Sequence, residues 1–235
     1  MGRSADVEPA SGSVSGGSAR YRKRRPVPAL FLLLVLVVSS VVVWVKVLGE
    51  AEDMDAAIKC NAPGGVAPGQ EQVLGTALGH DALDRTDLAA VGEIHFRAFN
   101  ASTQRNQAKF VATSLTEMGA QQAAEPGNDP VYPAQDMACR GQIRFGAPGA
   151  EAARTLSVME PCMELVRDDR QDATVDIAVG KKFTEVKPNN EARKVLDQLA
   201  AWAEQQPEQQ GGQAAEPSSP QLDADHLAAA REVHC

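Results

Sequence analysis

Nineteen consecutive residues from Val27 to Val45, VPALFLLLVLVVSSVVVWV, carry no charge, and their only hydroxyls are Ser39 and Ser40, whose protons can be shared with carbonyls of the preceding helical turn. The run is apolar on every helical face, whereas a helix lying on a globular core keeps one polar side. About 20 residues at 1.5 Å rise cross roughly 30 Å of hydrocarbon, so Val27 to Leu48 suits a transmembrane helix if Lys46 reaches up to the interface and Trp44 sits in the interfacial belt. A cleaved secretory signal fits less well, because the run exceeds the usual ~7–15-residue signal core and no clear A-x-A site follows it.

The flanks set an orientation. Tyr21, Arg22, Lys23, Arg24 and Arg25 precede the run, and Glu50, Glu52, Asp53 and Asp55 follow it. The positive side stays inside, which makes residues 1–26 a cytoplasmic basic tail, disordered where Ser and Gly crowd residues 4–18, and everything after the span extracytoplasmic. The whole chain has 235 residues and a net charge of −8; six Lys/Arg against two acids in the first 25 residues, plus Lys46, leave −13 for the part from Gly49 onward. That length holds one modest domain besides the accessory segments. So acidic a body would be repelled by a phosphate backbone, which removes nucleic acid as a partner.

All four cysteines, Cys60, Cys139, Cys162 and Cys235, lie on the exported side, and an even count there points to two disulfides. Three pairings are open to four cysteines. The preferred one joins Cys139 to Cys162 within the domain and Cys60 to Cys235 across its two ends. Zinc is a poor alternative, since there is no CxxC and the histidines His80, His95, His226 and His234 have no ligand spacing with the thiols.

Within the exported part, NAPGGVAPGQ at residues 61–70 has too many glycines and prolines for a helix or strand and belongs to a linker, residues 49–71. Period-two alternation from Glu93 to Phe99 predicts a strand with Ile94, Phe96 and Ala98 on one face. Ala108, Val111, Ala112, Leu115 and Met118 predict a helix closed by Gly119, its start capped by Asn100, Ser102 or Thr103. A turn-rich loop from Glu125 to Pro130 follows. Gln142 to Gly146 reads as a second strand, and Pro148-Gly149 introduces a helix with Ala152, Ala153, Leu156 and Met159 inward, ended by Pro161. Thr174 to Val179 is a third strand. The fold class is therefore α/β, a small β-α-β-α-β domain over residues 72–204 behind a single N-terminal transmembrane helix, residues 27–48. Pro188 to Gln205 adds a capping helix through Val195, Leu196, Leu199 and Trp202. Residues 205–220 read as low-complexity linker and 221–235 as a short helix tied back by Cys235, which is marginal without such a tie.

Several of these stretches carry a resemblance. The run Phe99-Asn100-Ala101-Ser102, the helix closing on Met118-Gly119, Asn128-Asp129-Pro130-Val131-Tyr132, the block from Cys139 to Gly146, Pro161-Cys162-Met163-Glu164-Leu165 and the stretch from Val175 to Phe183 together resemble the LytR C-terminal-type domain of actinobacterial envelope-integrity proteins. The similarity extends over most of the exported part and includes all four cysteine positions. It implies a small α/β module held behind a membrane anchor in the cell envelope. Its strand-to-helix turn has an Asn followed by small residues and glycines; Asn100 is kept here, while Thr103 and Asn106 replace later glycines. In LytR-type proteins the module accompanies a polymer-transferring catalytic domain, for which this chain leaves no room.

No catalytic set emerges from the residues. There is no G-x-S-x-G, H-E-x-x-H, Walker A or dinucleotide fingerprint. Asp168, Asp169 and Asp172 lack the glycine and terminal Glu of a calcium loop and read as a solvated acidic loop. His95 alternates with the apolar face and points to solvent. The turn that opens the first domain helix offers free N–H groups, with Asn100, Ser102, Arg105 and Asp129 as the candidate binding residues. The expectation is a membrane-anchored, extracytoplasmic protein without enzymatic activity, cofactor or metal. It would maintain envelope integrity by binding or positioning an envelope protein, a wall precursor or peptidoglycan at the cytoplasmic membrane. The alternatives are an enzyme acting on cell-wall polymer and a sensor signalling through the short tail.

Overall fold

The computed structural model describes residues 27–64, 75–205, 220–233 and 235. The expected cytoplasmic tail, residues 65–70 of the Gly/Pro-rich stretch, nearly all of the low-complexity linker and His234 lie outside the described residues. The chain divides into two units, residues 1–46 and 47–235.

In the first unit the described part is the beginning of helix α1 (Val27–Ile58). Every large apolar residue from Leu30 to Val45 on it is half or more exposed, and Ser39 Oγ donates to the Leu36 carbonyl at 2.9 Å. Described side chains in this apolar stretch run from Leu30 to Lys46, and among the described residues no helix is long and apolar enough to cross a membrane.

The second unit is built on a mixed sheet. Its strands are β1 (Thr76–Leu78), β2 (His95–Asn100), β3 (Gln121–Gln122), β4 (Gly127–Asn128), β5 (Gly141–Phe145), β6 (Glu164–Arg167) and β7 (Val175–Val179), in the order β1-β6-β5-β7-β2-β3, with β4 also on β2. β2 runs parallel to β7, β5 parallel to β6, and β5 antiparallel to β7. Helices α2 (Gln107–Glu117) and α3 (Ala150–Met159) follow β2 and β5. Phe96, Ala98, Ile143, Phe145, Leu165, Val175, Ile177 and Val179 form one core with Val111, Ala112 and Leu115 of α2 and Ala153 and Leu156 of α3. Period two in the strands and 3.6 in the helices bring these residues to one layer.

Both expected helices have their expected ends. At the close of α2, Gly119 takes φ +103°, its N–H donates to the Thr116 carbonyl at 2.9 Å and that of Ala120 to Leu115 at 3.0 Å, which is a Schellman motif. The start of α2 differs from expectation. Its N-cap is Asn106 at φ +65° with no side-chain cap bond, so neither Asn100, Ser102 nor Thr103 caps it. Among the described residues seven strands stand where three were expected. Glu164 to Arg167 is four residues between a proline and an acidic loop, too short to show periodicity, and it gains strand geometry by pairing with β5. β3 and β4 are two-residue pieces of one interrupted edge on β2, and β4 occupies part of the expected turn-rich loop. Pro126 between them has no N–H for a ladder.

A second helical layer buries the outside of α3. Helix α4 (Asn190–Gln205) and helix α5 (Ala224–Arg231) contribute Ala192, Val195, Leu199 and Ala230 to a cluster with Val158 and Leu88. Asp223 caps α5 by accepting from the N–H groups of Asp225 and His226, and the Asn189 amide donates to the Ala230 carbonyl at 2.8 Å.

The expected linker behind the apolar run does not begin at Gly49, because α1 continues to Ile58 and the segment after it is docked. Ile58 is buried, Asp55 accepts from the His80 backbone N–H at 2.8 Å, and Asn61 accepts from Tyr132 Oη at 2.6 Å and from the Ala138 N–H at 2.7 Å. The Gly64 N–H donates to Asp136 at 2.9 Å.

The preferred disulfide pairing is corrected as well. Cys60 joins Cys139 (Cα separation 4.9 Å) and Cys162 joins Cys235 (5.4 Å). Cys139 belongs to a small cluster with Tyr132, Met137, Ala101 and Ala178 on the face of the sheet away from the helices. Cys162 stands at the end of α3, lining a crevice with Asn189 and Val233 on the helical side. The sheet separates the two, and each takes the terminal cysteine that reaches its own face.

Candidate functional site

Phe99, Ala178, Gln142, Arg144, Glu164 and Asp176 alternate with the core residues of their strands and so share the face of the sheet opposite α2 and α3. Loops cover this face, so its polar groups are buried and must be paired. Arg144 donates from both Nη atoms to Asp129, at 2.8 and 2.6 Å, and from Nε to Gln142 at 2.9 Å. Gln142 in turn donates to Glu164 at 2.7 Å. The guanidinium lies 5.7 Å from the centre of the Tyr132 ring. Burial pushes the Tyr132 phenol up to about 12, with Arg144 pulling the other way, so the hydroxyl stays protonated and donates to Asn61.

At the open end of this face Arg97 donates to Asp176 at 2.6 and 3.1 Å, and Arg170 bonds both Asp176 and Asp168. The acidic loop therefore supplies its own counter-charge: Asp168 is held by Arg170, and Asp172 accepts from the N–H and hydroxyl of Thr174. Among the described residues no group of His, Cys, Asp or Glu is placed to hold a metal ion. Burial acts to raise the Asp168 carboxyl, but the Arg170 hydrogen bonds outweigh it and leave the group below the usual carboxylate range. A lowered folded-state value means stability that is present above the ordinary Asp value of 3.8 and lost as pH falls through the lower folded one. Thermal unfolding compared at pH 7 and pH 2.5 should show a smaller acid loss for Asp168→Asn than for the parent chain, and equal losses would refute the role.

The four residues singled out in the sequence fall in different settings. Asn100 ends β2; its Oδ1 accepts from the Ser102 N–H at 3.1 Å, and its amide donates to the Gln104 carbonyl at 2.7 Å. Ser102 is fully buried and donates to Gln107 at 2.7 Å, and Gln107 reaches the Phe183 carbonyl at 3.2 Å. The turn is thus braced internally by its own side chains. Asp129 is 2% exposed and neutralised by Arg144, so it is a structural anion. Arg105 is exposed. His95 is exposed, as its alternation implied.

The structure instead opens a cleft of about 510 Å³ between α2 and the β3–β4 edge. Its lining includes Asn100, Asn106, Lys109, Thr113, Gln122, Glu125 and Asn128. It runs along the sheet edge beside β2, from Gln122 in register with Phe96 to Asn128 in register with Asn100, and its size falls within the ~300–1,000 Å³ of small-molecule sites. Of this set only Asn100 was legible as a site residue. Lys109 and Thr113 stand just off the apolar stripe of α2, a signal available in the sequence, whereas Gln122, Glu125 and Asn128 are brought there by edge pairing alone. Arg144 was also missed, although its alternation with Ile143 and Phe145 marks it as facing away from the core.

The model of the family described as LytR cell envelope-related transcriptional attenuator matches residues 93–183. The chain is 35% identical over 185 residues to the cell envelope integrity protein Cei of Mycobacterium tuberculosis, covering 78% of this chain and 84% of that one. The crystal structure of the soluble domain of a conserved hypothetical secreted protein from Mycobacterium marinum is similar with a TM-score of 0.57 at 30% identity, covering 70% of this chain and all of that one.

Proposed function

The chain belongs to the family of the cell envelope integrity protein Cei, and from that membership we propose a single-pass membrane protein, cytoplasmic at its N-terminus, whose α/β domain holds an envelope component outside the membrane without catalysis. The observation that carries this reading is the cleft beside α2, a concave polar surface on a domain whose strongest charges are already neutralised internally. Acids locked in buried ion pairs serve the fold and are not presented to a ligand. Here Asp129, Asp168, Asp176 and Glu160 are each tied to an arginine, which supports a holding role. Two disulfides with no free thiol among the described residues support an oxidising compartment. The exposed apolar run on α1 supports an anchor, and its basic and acidic flanks support the orientation.

The extracytoplasmic domain is taken to contact an envelope protein, a wall precursor or peptidoglycan. A reporter fused after Cys235 should be cut by externally added protease in wall-stripped cells, and a protected reporter would overturn the topology. Deletion of the chain should raise envelope permeability to antibiotics. Substitution of Thr113 by a photocrosslinking residue should capture an envelope component in living cells, and no capture would remove the cleft from the proposal.

A further inference from the structure

Six polar side chains bound the cleft beside α2: Asn106, Lys109, Thr113, Gln122, Glu125 and Asn128. Among the described residues none of these side chains takes part in a hydrogen bond or ion pair, in contrast to the braced turn of Asn100 and Ser102 next to them. Three of the six are primary amides, which donate and accept from neighbouring atoms and so match the donor-acceptor character of adjacent hydroxyls. The single lysine and single glutamate cancel, so the lining has no net charge to attract an ion. The −13 carried by the chain from Gly49 onward repels anionic polymers besides.

A second feature lies on the same helix. Phe110 is 66% exposed, the sole large apolar side chain in that state among the described residues of the 47–235 unit. It follows Asn106 by four positions, its backbone N–H donating to the Asn106 carbonyl at 3.1 Å, and precedes Thr113 by three. Residues at these spacings are neighbours on a helix surface, so the ring stands on α2 next to two of the cleft's polar groups, at the rim and outside the lining itself. It is outside the stripe of Ala108, Val111, Ala112 and Leu115 that packs on the sheet, so packing of this domain does not account for it. An aromatic ring flanking uncharged hydrogen-bonding groups matches a sugar, which has an apolar C–H face and a hydroxyl edge.

We propose that the cleft binds an uncharged, hydroxyl-rich saccharide segment, with Phe110 as stacking platform and the Gln122 and Asn128 amides as hydroxyl partners. The proposal rests on the reading that this cleft holds an envelope component, and it names the chemistry of that component.

The test is calorimetric titration of the full chain in detergent with chitotetraose and with maltotetraose, which separates acetamido sugars from plain hexoses. At least one should bind. Phe110→Ala and Gln122→Ala should each weaken it about three- to tenfold while leaving the melting temperature unchanged, since both side chains are exposed. The proposal is overturned if neither tetrasaccharide binds, if an anionic polymer or a short peptide binds in their place, or if both variants bind as tightly as the parent. Should saccharide binding fail while a photocrosslinker at Thr113 still captures a protein in cells, the holding role stands and the saccharide assignment falls; failure of both removes both.

Discussion

Asp129→Ala should destabilise the domain by about 3–5 kcal/mol, the cost of leaving a buried charge without its partner. The Asp129 side chain is wholly buried and that of Arg144 is 5% exposed. Arg144 would keep only Gln142 and the Tyr132 ring, neither of which carries a countercharge. At about 2–4 °C per kcal/mol for a domain of this size, the melting temperature should fall by roughly 6–20 °C. The double variant Asp129→Leu/Arg144→Met should recover much of that loss, because replacing both members of a buried pair by apolar groups of similar volume is often neutral or better. A single-variant cost under about 1 kcal/mol would mean that water reaches the pair, contrary to the structure.

The second large effect concerns the bridges. Cys60–Cys139 and Cys162–Cys235 close segments with sequence separations of 79 and 73. The loop-entropy model gives about 4–5 kcal/mol for closures of that length, and measured losses of native disulfides are typically about 2–5. The Cys60→Ala/Cys139→Ala variant should therefore melt roughly 5–15 °C lower. Beyond stability it should release the segment from Ile58 to Gly64, detectable as faster amide exchange at Gly64 and Ala138, whose N–H groups donate to Asp136 and Asn61 across contacts the bridge holds in register. Cys162→Ala/Cys235→Ala should instead loosen α5, with faster exchange near Ala230. Peptide mapping of the oxidised chain should recover these two pairs; recovery of Cys139 bound to Cys162 would contradict the placement of those residues on opposite sides of the sheet.

Much of the domain's local structure was legible because it follows from periodicity. The stripe through Ala108 and Leu115 could bury only as a helix, and Ile94, Phe96 and Ala98 could share a face only as a strand, and both form as expected. The strands that escaped notice are those of two to four residues, for which no period exists. Glu164 to Arg167 is extended because β5 and β1 flank it. The candidate site was legible in part. Asn100 does reach the cleft, but Asp129, which has the composition of a ligand residue, is withdrawn from solvent by an arginine 15 positions away.

Taken alone, the amino-acid sequence determined the apolar run and its charge asymmetry, the position of all four cysteines after that run, the α/β class and the absence of recognisable catalytic motifs, because each depends on composition or on spacing within a few turns of chain. Tertiary structure alone decided which cysteines meet, which charges neutralise one another and where a cleft opens. Those depend on which side of the sheet a residue emerges from and on which distant segment covers it. Cys139 and Cys162 are 23 positions apart and on different sides of the sheet, whereas Cys60 and Cys139 are 79 apart and joined. Separation along the chain has no fixed relation to distance in space once strands have paired.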